Sequence, residues 1–390
     1  MKRAASGRYQ TTTKIGGEEV RAFVPFPLPP KPPLNIDPTL RGKLDEAHVN
    51  LGRLDSVTAL LPETHLFLYM YVRKEAVLSS QIEGTQSSLA DLLLFEADEA
   101  PGVPMDDVVE VSSYVAAMEH GLTRIRGGFP ISNRLIGELH GVLLARGRGA
   151  EKDPGQFRRS QNWIGGTRPG NAAFVPAPPA EVPSLMGQLE LWLHDTPERT
   201  PILIKSALAH VQFETIHPFL DGNGRVGRLL ITLLLCAEGL LSQPLLYLSL
   251  YLKKHRDRYY DLLTGVRTRG EWEEWLSFFA DGVIESARGA VQTAQRLSAV
   301  ASEDREQVRA MRRGPMLLEL LRCMQERPIS TVTQLGSRAG VTFATATKGL
   351  RALQEVGIVR EITGRQRNRV FSYERYLRIL GEGTEPRSDA

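Results

Sequence analysis

Through most of the chain, apolar residues recur at three- and four-residue spacing, the pattern of helices with one buried face. Leu40, Leu44, Leu51, Leu54, Leu60 and Leu61 mark a first amphipathic segment. A second covers residues 64–94, with Leu66, Leu68, Tyr69, Tyr71, Val72, Val77, Leu78, Ile82 and Leu89 apolar. Residues 96–104 read as a linker. The periodicity returns over residues 106–147, where Asp106 and Asp107 can cap one helix and Ser132 the next. His140 lies beside that apolar stripe and reads as a satisfied core histidine. Residues 185–193 are amphipathic with Trp192 inward, and the continuous apolar runs 201–211 and 229–237 read as two buried helices. Residues 1–38 look irregular; their polyproline-like stretch from Pro25 to Pro33 is expected to lie along the surface as an extended arm. Residues 150–180 hold two short extended runs around a Gly/Pro/Asn turn, predicting a β-hairpin in an otherwise helical domain. The predicted fold class is mainly α.

Composition adds bounds rather than a function. The 390 residues allow two or three domains. A hydrophobic content of 42% and a charged content of 24% describe an ordinary soluble globular protein. The formal charge of +3 is too small to name a partner. Two cysteines, Cys236 and Cys323, sit in predicted helices as buried thiols, with no disulfide framework or zinc spacing. No apolar stretch follows the basic start, and the run 229–241 is interrupted by Glu238 and too short to span a bilayer. A cytoplasmic location without membrane contact is expected.

The stretch of chemical interest lies between the two buried runs: His217-Pro218-Phe219-Leu220-Asp221-Gly222-Asn223-Gly224-Arg225-Val226-Gly227-Arg228. Pro218 stops the first helix, residues 221–224 form a turn, and the second helix starts with free N–H groups facing that turn. Such an N-terminus attracts phosphate. His217 can exchange a proton near neutral pH. Asp221 is a hard oxygen ligand suited to magnesium carried on nucleotide phosphates. Gly222 and Gly224 let backbone amides approach an anion, and the amide of Asn223 can donate. Arg225 and Arg228 lie three apart on one helix face, as phosphate clamps. Together these are parts for moving a piece of a nucleoside triphosphate.

This stretch resembles the signature of the Fic (Fido) family, His-x-Phe-x-Asp/Glu-Gly-Asn-Gly-Arg-x-x-Arg, at every specified position. The resemblance implies a Fic helical core over residues 105–289 that transfers AMP from ATP to a Ser, Thr or Tyr hydroxyl of a target protein, or of itself. His217 would be the catalytic base. Residues 222–228 (Gly222, Asn223, Gly224, Arg225, Val226, Gly227 and Arg228) would bind ATP, and Asp221 would hold Mg²⁺. The hairpin resembles the Fic flap, with Trp163, Ile164 and Gly165 nearest the nucleotide or target. Tyr259 and Tyr260 resemble adenine-side residues. Kinase-like relatives lack glycine at the position of Gly224, which argues against phosphoryl transfer.

Upstream, Ser79-Ser80-Gln81-Ile82-Glu83-Gly84 resembles the family's inhibitory motif, Ser/Thr-x-x-x-Glu-Gly/Asn. Ser79 and Glu83 share a helix face, and Gly84 suggests a close approach or an interruption. By analogy Glu83 would pair with Arg228 and displace the γ-phosphate. The resemblance places this motif, with the arm, in an N-terminal region of residues 1–104, and a homodimer is implied as a common way to hold such a helix.

Residues 290–313 read as a helical connector and 314–380 as a separate domain. Two short helices around Gly340, then strands at 358–362 and 369–373 flanking residues 364–368, resemble a winged helix. Lys348, Arg351, Arg365, Arg367 and Arg369 are candidate DNA contacts. Residues 381–390 look disordered. The primary expectation is an autoinhibited adenylyltransferase. The alternatives are a nucleotide-sensing, DNA-binding transcription regulator, or an enzyme that removes AMP.

Overall fold

The computed structural model describes residues 3–15, 18–60, 64–97, 102–311 and 314–386. In chain order the elements are β1 (Gly7–Ile15), β2 (Glu18–Pro25), α1 (Pro38–Leu60), α2 (Thr64–Ile82), α3 (Leu89–Glu96), α4 (Met105–Arg126), α5 (Asn133–Leu143) and α6 (Val182–Leu193). They continue with α7 (Ile202–Ile216), α8 (Asn223–Ala237), α9 (Ser249–Lys254), α10 (Arg256–Arg269), α11 (Trp272–Arg309) and α12 (Gly314–Glu326). The last are β3 (Ile329–Thr331), α13 (Val332–Arg338), α14 (Phe343–Glu355), β4 (Arg360–Glu361), β5 (Val370–Ser372) and α15 (Glu374–Gly381). The chain is mainly helical, as its periodicity predicts. Parts of the expected linker and the leucine at 61 lie outside the described residues. Among those described, no helix is long and apolar enough to cross a membrane.

One unit comprises the residues up to Gly52, Ser112–Pro244 and Tyr251–Ser286. Its centre is the pair α7 and α8. Both are buried around nearly their whole circumference, as their continuous apolar runs require. α5 packs on α8 and α6 on α7. Ser132 caps α5 by accepting from Leu135 N–H, and Trp192 is buried on α6. The region expected to be irregular corrects to an antiparallel hairpin, β1 with β2, in the register Gly7↔Pro25 to Thr12↔Val20. Val20 and Ala22 of β2 cluster with Val175. β1 lacks an apolar face, since Arg8, Gln10, Thr11 and Thr12 carry no signal of burial. The arm after β2 runs along this unit: Gln212 donates to Phe26 O at 3.0 Å, and Arg3 donates to Pro32 O and Pro33 O.

The second unit comprises Arg53–Val111, Leu245–Leu250 and the residues from Ala287 onward. In it α2 packs against α12, and Tyr71 Oη donates to Ala290 O at 2.6 Å. The carboxy-terminal elements follow as α12, β3, α13, α14, β4 and β5, with an antiparallel sheet in the order β3-β5-β4. Thr331 and Thr342 cap α13 and α14 through their hydroxyls. The tail expected to be disordered is built into this unit as far as residue 386; residues 387–390 lie outside the described residues. Cys323 is buried as expected, but Cys236 is only half-buried.

Candidate active site

The loop between α7 and α8 is held by side chains from three neighbouring segments of the first unit. α7 ends at Ile216, and His217 adopts φ 51°, ψ 61°, left-handed and uncommon for a non-glycine residue. That backbone is tied on both sides. His217 N–H donates to Phe213 O at 2.9 Å, and His217 O accepts from Arg158 Nε at 2.9 Å. Arg158 is buried, and also donates to Ala177 O, Ile216 O and Ser160 O, while its own N–H reaches Pro218 O. Burial pushes its guanidinium down to about 10, so it still carries its charge at neutral pH. Sequence reasoning passed over Arg158; its only signal was an arginine between aromatic residues in the predicted hairpin. The His217 ring lies three residues from the buried carboxylate of Glu214, with Nδ1 3.9 Å from Oε2.

Phe219 anchors the loop in the core, fully buried and stacked on His140 at 3.7 Å between ring centroids. His140 is the satisfied core histidine its position predicts. Its Nδ1 accepts from Gly155 N–H at 2.8 Å, and Nε2 faces Asp221 O at 3.1 Å. Burial pushes His140 down to about 4, so the ring is neutral and Nε2 is the donor to Asp221 O. Asn223 closes the turn from inside: its side-chain oxygen accepts from Phe219 N–H at 2.9 Å and its amide donates to Phe219 O at 2.8 Å. Asn162 donates to the same carbonyl at 2.8 Å. The Asn223 side chain thus shapes the loop, using its oxygen and one of its two amide hydrogens on Phe219.

Gly222, the N-cap of α8, sits at φ 73°, and Asp221 Oδ1 accepts from its N–H. The first amides of α8 follow, the donors a helix leaves without intrahelical partners. Asp221 is partly exposed and lies 3.4 Å from Arg225 Nη2. Arg225 and Arg228 are both buried, unlike surface arginines, and a buried guanidinium requires anionic or carbonyl partners. Val226 and Gly227 turn inward. Val226 is core, and a Cβ at Gly227 would lie 2.6 Å from Glu214 Oε1 and 3.3 Å from His210 Nδ1. The glycine allows α7 and α8 to pack closely.

The hairpin is reduced to a single antiparallel bridge. Ile164 N–H donates to Phe174 O at 2.8 Å and Phe174 N–H to Ile164 O at 3.1 Å. Gly165 and Gly166 turn at φ 68° and 69°, and Trp163 is exposed. The base of the hairpin is sewn to β2, with Phe23 N–H donating to Val175 O at 2.9 Å. Tyr259 corrects the adenine expectation. It is 1% exposed, with its hydroxyl 2.8 Å from His210 Nε2, and so belongs to the core; Tyr260 is exposed. In the second unit, Ser79 is in the last turn of α2 and Glu83 one residue past its end. Gly84 takes φ 103° with open space where a Cβ would go, so it is an interruption and not a close approach. Among the described residues no three metal-ligating side chains gather. A divalent cation at Asp221 would thus have one protein carboxylate and would arrive with phosphate oxygens, the usual habit of magnesium.

A base beside an anion-binding helix start, held on two core helices, defines a Fic-type site. Residues 41–123 match the description Fic/DOC family N-terminal and residues 130–235 match Fic/DOC family. The chain therefore carries a Fic/DOC N-terminal region and a Fic/DOC region over these residues. It is 33% identical over 204 residues to protein adenylyltransferase Fic of Aedes aegypti, covering 51% of this chain and 38% of that protein. Against the protein of the same name from Culex quinquefasciatus it is 31% identical over 204 residues, again covering 51% of this chain and 38% of that protein. The chain thus spans well under half the length of the curated relatives it matches. In structure it is similar to a Fic family protein from Desulfovibrio desulfuricans, with TM-score 0.57 and 20% identity over 88% of this chain and 98% of that one. It is also similar to a Fic domain containing signaling protein from Bacteroides thetaiotaomicron, with TM-score 0.52 and 21% identity over 65% of this chain and 97% of that one. These two likenesses concern the fold.

Proposed function

We propose that this chain is an autoinhibited protein adenylyltransferase. The observation that carries the reading is the left-handed His217 held at the end of α7, directly before the turn that opens α8. His217 takes the proton of a target hydroxyl. The freed oxygen forms a bond to the α-phosphorus of ATP, the bond from that phosphorus to the bridging oxygen breaks, and pyrophosphate leaves. The first-turn amides of α8, from Asn223 to Arg225, stabilise the developing phosphate charge, and Arg225 and Arg228 hold the remaining phosphates. Asp221 would hold Mg²⁺, which would neutralise phosphate charge. The exposed bridge strand with Trp163, Ile164 and Gly165 aligns an extended segment of the target. Glu83 restrains the reaction by competing with phosphate for a guanidinium. Support for this last step is the inhibitory motif; support for AMP as the transferred group is the name shared by the curated relatives.

The test is protein labelling from α-³²P-ATP with Mg²⁺ by wild type, Glu83→Gly and Glu83→Gly with His217→Ala. Label should rise in the single variant and fall in the double variant by about 10²–10⁴-fold, the usual contribution of a general base. Equal labelling in both would remove His217 from the mechanism. A second reading, a DNA-binding regulator, is favoured by one observation: Lys348, Arg351, Arg365 and Arg367 are all exposed on the carboxy-terminal domain, which we read as a winged helix.

A further inference from the structure

The segment after α15 is an integral part of the second unit. α15 buries Tyr376, Ile379 and Leu380 and packs beside α2 and α3. The chain then turns back on itself: Thr384 N–H and Oγ1 both donate to Gly381 O, at 2.9 and 2.8 Å. Gly383 takes φ 82°, and a Cβ there would stand 2.7 Å from Leu250 Cδ1, so this turn fits only a glycine. Arg296 grips Glu382 with both Nη atoms at 2.6 Å. That pair is half exposed, so it guides the tail more than it holds it.

The buried anchor is Gln81. Its Nε2 donates to Thr384 O and to Ser87 O, each at 2.8 Å, and both Gln81 and Thr384 are buried. Gln81 lies between Ser79 and Glu83, in the last turn of α2. One amide therefore joins the end of that helix, the turn leading to α3 and the carboxy-terminal tail. Helix ends have the least local order, because their last carbonyls lack intrahelical donors. Past Ile82 the backbone bonds back to the last turn of α2, Glu83 N–H to Ser80 O at 3.0 Å, Gly84 N–H to Gln81 O at 3.2 Å and Thr85 N–H to Ser80 O at 3.3 Å, and Gln86 N–H then reaches Asp107 Oδ2 at 2.7 Å. To these backbone ties Gln81 adds a buried side-chain one that reaches the carboxy-terminal segment. Earlier on α2, burial pushes the Lys74 ammonium down to about 8, while the nearby carboxylates of Glu382 and Glu385 act in the opposite sense and favour its charge.

We propose that residues 382–385 form a strap that holds the end of α2, and with it Glu83, in the inhibitory setting, so that displacing the tail activates the enzyme. The inference rests on the adenylyltransferase reading. The experiment uses α-³²P-ATP labelling by the full chain, Gln81→Leu, a chain ended after Gly381, Glu83→Gly, and Glu83→Gly with Gln81→Leu. Gln81→Leu and the shortened chain should label about tenfold more than wild type, the order expected for losing a net hydrogen-bond contribution. Adding Gln81→Leu to Glu83→Gly should raise nothing further, because the strap acts through Glu83. Hydrogen exchange over residues 79–87 should quicken in Gln81→Leu, a readout that survives if the shortened chain fails to fold. Strong labelling by Glu83→Gly, with Gln81→Leu at the wild-type level and exchange unchanged, would overturn the strap and leave the autoinhibition standing. No label from Glu83→Gly would remove the adenylyltransferase reading, and the strap with it.

Discussion

Asn223 braces the loop between α7 and α8 from inside. Its side chain takes the N–H and gives to the C=O of Phe219, so the amide works as a cross-brace under the loop. Removing it leaves two unequal losses. Phe219 O keeps Asn162 as a donor, whereas Phe219 N–H, deep in the core, loses the acceptor it has here. An unsatisfied buried donor costs about 1–3 kcal/mol. Asn223→Ala should therefore lower unfolding free energy by that amount in urea titration, and should lower kcat more than it raises KM for ATP. Unchanged stability would mean that the brace is dispensable. His210 gives the clearest dependence on pH. Burial pushes its imidazole down to about 3, so in the fold it stays neutral beside the Tyr259 hydroxyl. The unfolded chain titrates near the ordinary value of about 6.5. Below that pH the unfolded state takes up a proton that the folded state refuses, so stability falls as pH drops from about 6.5 toward 3. At pH 5 this one group should cost about 2 kcal/mol. Replacing it by Asn should shrink the difference between unfolding free energies at pH 7 and pH 5 by about that much; an unaltered difference would assign the acid sensitivity to other groups.

The pair α7 and α8 places His217, the proposed base, directly before the start of α8, and Gly227 sets how closely the two helices approach. Alanine there gains about 1 kcal/mol of helix propensity. Its Cβ, however, would fall 2.6 Å from Glu214 Oε1, the end of a side chain that can move. Glu214 is the carboxylate beside His217, so relief of the clash shifts the surroundings of the base. Gly227→Ala should thus lower stability by at most about 2 kcal/mol, an overpacking cost of about 1–3 kcal/mol partly offset by the gain in propensity. It should also reduce AMP labelling disproportionately; labelling that tracks stability alone would show that Glu214 does not matter to His217. Elements like these were legible because their chemistry is local. Two apolar runs, a proline stop and a glycine turn fit within a few dozen residues, and the Ser132 cap and the helix-turn-helix around Gly340 are short-range patterns as well. What escaped is held by distant partners. β1 is a polar strand that exists because β2 pairs with it. Tyr259 reads equally as an adenine-side or a core aromatic until α7 brings His210 to its hydroxyl. Arg158 and Gln81 act through backbone carbonyls, and a carbonyl leaves no mark in a sequence. The tail after α15 has no apolar pattern; a buried glutamine far up the chain orders it.

Across the whole molecule, 48 basic and 45 acidic residues leave a formal charge of only +3. A field that weak does not gather nucleic acid from a distance, so affinity for DNA has to come from a local group of contacts. The carboxy-terminal domain offers one. Lys348 and Arg351 are exposed on α14, Arg365 and Arg367 on the loop between β4 and β5, and Arg369 is half-buried at the start of β5, with its guanidinium 5.6 Å from the Phe371 ring. If all five meet phosphates, the logarithm of the binding constant should fall with the logarithm of salt at a slope of about −4 to −5. Each of Lys348→Ala and Arg351→Ala should then make that slope shallower by about one, and weaken binding by a similar factor for every duplex sequence tried, because phosphate contacts carry no base information. Neither residue belongs to the proposed transfer chemistry, so AMP labelling by the same variants should stay at the level of the parent chain. A fluorescence anisotropy titration of the full chain on a short duplex, repeated across salt concentrations, separates the outcomes. A slope near zero, or one indifferent to both substitutions, would remove DNA as a partner of this domain. The exposed basic residues would then be the solvated surface charge that most lysines and arginines are.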